Sequence, residues 1–137
     1  MFNKQKRYFK KKLTAIQYAI YDLEFKRFKT LELREGIRKE YDNLRSRLEL
    51  LTNQIEAESA PKGLKEVNKD EFKRLEDSKV LLEKDIEKLV GQMAGIDVEV
   101  NGSKPTDELP NGHSGINHQL DAYRELQTMV KEYLKQI

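Results

Sequence analysis

Between residues 4 and 58 the chain has no proline and a single glycine, Gly36. Apolar side chains recur at Phe9, Leu13, Ile16, Ile20 and Leu23, then at Ile37, Tyr41, Leu44, Leu48, Leu51 and Ile55, stepping by fours and threes in both runs. An average step of about 3.5 residues marks a helix that lies along another helix. The fourteen residues from Leu23 to Ile37 are two whole heptads, so both runs share one register. In between, Arg27, Thr30 and Arg34 occupy the seam positions, and the apolar residues move to Phe25, Phe28, Leu31 and Leu33. The pattern predicts one helix over about 4–58 whose partner surface changes near Gly36. A straight helix and a helix broken there, folding into a compact bundle, both remain open.

Ala60-Pro61-Lys62-Gly63 is a helix breaker, and Asp70 or Asn68 can cap a second helix. Phe72, Leu75, Leu82, Ile86, Leu89 and Met93 restore the heptad stepping, with Lys79 at the one polar seam position. This predicts a helix over about 70–94, ended by Gly95 and folded back antiparallel on the first. Ile96-Asp97-Val98-Glu99-Val100 alternates apolar with acidic residues and precedes Asn101-Gly102, which reads as a strand and turn. A flexible loop is expected over about 95–114. Ser114 then caps a final helix over about 115–136, carrying Leu120, Tyr123, Leu126, Met129, Val130, Tyr133 and Leu134 on a broad apolar face. The fold class expected is all-α. The expected architecture is an elongated antiparallel helical hairpin or coiled coil, a single helical domain over 1–137 with one long N-terminal helix and two shorter helices packed along it.

Composition narrows the function. The chain of 137 residues is 37% apolar and 36% charged, against about 45–50% and 25% in ordinary soluble domains. That is too little core for a deep catalytic pocket and suits thin helical packing. Without cysteine there is no disulfide, zinc–thiolate site or cysteine nucleophile. MFNKQKRYFKKKL begins like a secretory n-region but no apolar stretch comes after it, so a cytoplasmic location is expected.

The net charge of +2 conceals a gradient. Residues 1–29 carry a net +7, residues 30–58 a net −2, and residues 96–115 a net −3, while the remaining segments balance. Lys4, Lys6, Arg7, Lys10, Lys11 and Lys12 hold most of the excess, and Phe2, Tyr8, Phe9, Tyr18 and Tyr21 lie among them or just beyond. Cations at a helix N-terminus oppose the macrodipole, so they are not placed there for helix stability. They are candidates for binding an acidic protein partner or nucleic-acid phosphates, with a membrane surface the least favoured and a plain solubilising role the bland alternative.

Other motifs carry less. His113 and His118 are five apart, which is not a one-face helical spacing, and bring no further ligands with them. The Gly-rich text over 101–115 lacks phosphate-loop spacing. The acidic groups around Glu76 and Asp85 alternate with lysines, and pairs such as Glu35–Lys39 and Asp70–Arg74 mark a solvated face. No catalytic residue, metal, cofactor or small-molecule ligand is expected. The reading is a non-enzymatic protein-interaction or assembly scaffold, through a protein partner or self-association. A nucleic-acid-associated protein using the basic N-terminal helix is the alternative.

Overall fold

The computed structural model describes residues 2–59, 69–105 and 112–137 of the chain. They form three helices, α1 (Phe2–Ser59), α2 (Lys69–Asn101) and α3 (Ile116–Gln136). The protein is all-α, and its long first helix packs against the other two. Among the described residues, no helix is long and apolar enough to cross a membrane. The Ala60–Gly63 breaker and the Asn68 cap lie outside the described residues.

The chain forms two compact units. One joins Met1–Leu33 to Gly95–Ile137, and the other is Arg34–Ala94. In the first unit α3 runs antiparallel to α1. The Phe9 and Tyr133 rings meet edge-on with centroids 4.8 Å apart, the Gln127 amide donates to Gln17, and Arg124 reaches Glu24 at 3.2 Å. The end of α2 lies farther along the same helix, where Lys26 sits 3.7 Å from Glu99. The core of this unit is Ile16, Ile20, Ile96, Val100, Ile116, Leu120 and Val130, with Ile116 and Leu120 each only 1% exposed. Phe9, Leu13, Leu23 and Leu134 flank it half-buried, while Tyr123 is exposed.

The second unit is a thinner structure. Ile37, Tyr41, Leu44, Leu48, Leu51 and Ile55 are all half-buried, as are Phe72, Leu75, Leu82 and Met93, and only Ile86 and Leu89 are buried. Two helices alone can each bury one stripe, so one side of every seam residue stays near water.

No break occurs at Gly36: α1 runs through it as one continuous helix. Arg38 spans this point, donating to both Glu35 carboxylate oxygens at 2.7 and 3.0 Å and to Asp42 at 3.1 Å. The expected Glu35–Lys39 pairing gives way to this fork, whose planar geometry fits a carboxylate better than an ammonium does. The hydrogen bond from Arg38 holds the Glu35 carboxyl below its ordinary range. The clamp is therefore complete above the ordinary carboxylate range and is lost as pH falls through the depressed value.

Two expectations about the segment after α2 are corrected. The helix does not stop near residue 94 at Gly95, and 96–100 is not a strand: α2 continues to Asn101. Ile86, Leu89, Met93, Ile96 and Val100 keep stepping by three and four, and burying Ile96 and Val100 outweighs the local cost of Gly91 and Gly95. The expected loop thus begins at Gly102, which has φ +80° and donates its N–H to the Val98 carbonyl at 2.7 Å. It closes with a bridge between Ser103 and His113, made by N–H···O contacts of 2.9 and 3.2 Å. The N-cap of α3 is Gly115, not Ser114. A side chain at Gly115 would run into the Gly102 nitrogen and the Val100 carbonyl, so only glycine lets the α3 start approach the α2 end this closely. Asn117 donates to the Asn101 side chain at 2.9 Å across the same junction.

The glycines separate cleanly by unfolding in urea. A Cβ at Gly36 meets nothing, so Gly36→Ala raises stability by about 0.5–1 kcal/mol. Gly102→Ala, at positive φ and against the His113 carbonyl, lowers it by about 1–3 kcal/mol.

Candidate interaction surface

Helical residues spaced by threes and fours share one face. On α1 two such lines occupy opposite sides. The inner line is the seam of Phe9, Leu13, Ile16, Ile20 and Leu23. The outer line is Lys4, Arg7, Lys11, Thr14, Tyr18, Tyr21, Phe25 and Phe28, all of them exposed. Its four aromatics are among the most exposed apolar side chains of the protein: Tyr18 67%, Tyr21 57%, Phe25 63% and Phe28 62%. The line has two chemical halves, cations in its first two turns and rings in its last three.

Among the six candidate cations, the structure brings Lys4, Arg7 and Lys11 into this line, with Lys10 on its edge. Lys6 is half-buried beside the inner face, and Lys12 leans over the Tyr8 ring at 5.5 Å. No ion pair joins any of the six to another described residue. Of the acids near the line, Asp22 is exposed four residues after Tyr18, Glu32 lies 4.0 Å from Lys29, and Glu24, farther round the helix, pairs with Arg124. Lys29 also lies over the Phe25 ring at 5.7 Å. Beside the line, Leu13, Gln17 and Tyr21 face Gln127 and Lys131 of α3 across a shallow open groove.

The polar seam residues are half-buried: Arg27, Thr30, Arg34 and Lys79. The Arg27 Nε is buried within the first unit and meets no acceptor. Lys79 reaches Glu83 at 4.0 Å on its own helix.

The remaining candidates are dispersed. His113 and His118 are exposed, and no group of three or more potential metal ligands occurs among the described residues. The acids of α2 from Asp70 to Glu87 are exposed, while Asp97 and Glu99 are half-buried and Glu99 faces Lys26 of α1. In the second unit Leu50 and Leu81, 67% and 64% exposed, border an open groove with Arg47 and Asp85.

Sequence reasoning placed Tyr18 and Tyr21 with the basic segment and treated Phe25 and Phe28 as a shifted seam. It missed that all four continue the line of Lys4, Arg7 and Lys11. The signal was present in their three-and-four stepping, but a helix with two such lines does not say which one is buried. Compared with models of known protein families, with curated proteins and with solved structures, the chain matches none.

The buried Arg27 nitrogen gives a direct test. An unsatisfied buried donor costs about 1–3 kcal/mol, while methionine keeps the apolar stem. Arg27→Met should raise stability by about 1 kcal/mol in urea unfolding; a loss of that size would mean that the guanidinium itself stabilises the first unit.

Proposed function

We propose that this protein is a non-enzymatic interaction or assembly module that works through the outer face of α1. The observation that carries the reading is the row Tyr18, Tyr21, Phe25 and Phe28, exposed at helical spacing on a well-formed helix. Single exposed apolar residues are ordinary, but a contiguous row at seam spacing suits a helical protein surface. The open grooves beside α1 and α3, and on the hairpin of the second unit, suit extended contact rather than enclosure of a small substrate. The alternative is nucleic-acid association through Lys4, Arg7 and Lys11, whose alignment on one face suits phosphate contacts.

Two variant pairs separate these readings. Tyr18→Ser/Phe25→Ser removes rings, and Arg7→Glu/Lys11→Glu reverses charge, all at exposed positions where the fold is preserved by circular dichroism. Protein binding should fall about tenfold or more with the ring variant and survive moderate salt. Single-stranded RNA or duplex DNA oligonucleotides should show no salt-steep binding. Oligonucleotide binding that falls steeply with salt and vanishes only in the charge variant would replace this reading with the alternative.

A further inference from the structure

Resting on the interaction reading, we infer that the outer face of α1 pairs with the same face of a second copy, antiparallel, about a two-fold axis between Thr14 and Tyr18. The register comes from the line itself. Laid antiparallel over its own image, the line brings Lys4 opposite Phe28, Arg7 opposite Phe25, Lys11 opposite Tyr21 and Thr14 opposite Tyr18. Every position of one copy then has a counterpart in the other, as an isologous interface requires. Each cation meets a ring, an attractive combination in which the aliphatic stem packs and the charge stays near water.

The flanks agree with this register. In an antiparallel helix pair, the positions bordering the seam on one side face each other, and so do those on the other side. One border, which α3 also touches through Arg124 at Glu24 and Gln127 at Gln17, places Lys10 beside Glu24 of the second copy and Gln17 beside Gln17. The other places Ala15 beside Ala15 and Tyr8 beside Asp22. None of these border pairs sets like charges against each other, and in the seam the second copy's Lys29, over the Phe25 ring, is the cation nearest Arg7. An in-register parallel pair would instead stack Lys4 on Lys4, Arg7 on Arg7 and Lys11 on Lys11, concentrating the two basic segments. The antiparallel pair separates Lys4 from its mate by about 36 Å along the axis, well beyond the screening length of about 8–10 Å.

The area is adequate. Four rings per copy, each about three-fifths exposed, place on the order of 1,000 Å² of aromatic surface in the contact. With the stems of the cations this reaches the lower range of specific interfaces, which begins near 1,200 Å².

The test uses the full chain, which has no native cysteine. Sedimentation should show a concentration-dependent dimer in the micromolar range, and Phe25→Ser should weaken it about tenfold or more with the helical spectrum unchanged. Lys10→Cys and Glu24→Cys are prepared separately and mixed under mild oxidation. Cross-links between the two variants, with little Lys10→Cys self-linking, support the antiparallel register. A wild-type monomer at about 100 µM, a dimer indifferent to Phe25→Ser, or a dominant Lys10→Cys self-link each overturns the inference. The interaction reading falls separately. If the chain is monomeric but its ring variants lose a protein ligand, self-pairing alone is wrong; if they lose nothing and salt-steep oligonucleotide binding appears, both are wrong.

Discussion

Burial of one line of aliphatic side chains on α1 is the constraint on which the first unit depends. A single helix cannot remove Ile16 and Ile20 from water by itself, and its charged faces contribute little to holding it. Two further segments do so, α3 and the last turns of α2, and the core they form holds most of the buried apolar side chains among the described residues. The deepest points, Ile116 and Leu120, lie at the start of α3, next to the junction with α2. That junction is tight because Gly102 turns the chain at positive φ and Gly115 presents no side chain to the backbone it meets. The glycines permit the close approach, and the approach lets Val100 and Ile116 be buried close together.

The same constraint leaves the opposite side of α1 uncovered. A helix packed on one side keeps its far side in water, and in most helices polar residues fill that side. Here the far side begins with cations and continues with four rings. Rings in water are unfavourable for a chain that stays alone. Their regular spacing turns this cost into a feature with a direction and a register, which is why the interaction reading rests on them more than on the lysines. The lysines gain meaning from the same geometry. As isolated charges at a helix start they oppose the dipole, and in the proposed antiparallel pair they would meet the rings of the second copy.

Polar residues at seam positions show the balance from the other side. Arg27 keeps its stem against the core while its Nε lacks an acceptor. Arg38, on the outside of the second unit, satisfies Glu35 across Gly36 and Asp42 one turn farther on. Glu24 stands three residues before Arg27 just as Glu35 does before Arg38, but Glu24 pairs with Arg124 of α3 while Glu35 holds Arg38.

Much of the architecture was legible in the stepping of apolar residues along the chain. The long first helix, the return of the second and the helical end of the chain all derive from period, because the period of a helix is set by backbone geometry and needs no knowledge of neighbours. The end of α2 was not legible, since Ile96, Val98 and Val100 satisfy a strand's alternation and Ile96 and Val100 also satisfy a helix's step of four. Packing on α1 decided between them, and it overrode Gly95 as a stop. The cap of α3 was likewise decided by the contact with Gly102, which a serine hydroxyl at Ser114 could not anticipate. The outer line of α1 was present in the sequence but undetermined in meaning. Two lines stepping by three and four share that helix, and only the tertiary structure, by placing α3 and the end of α2 against one of them, shows which line is core and which is surface.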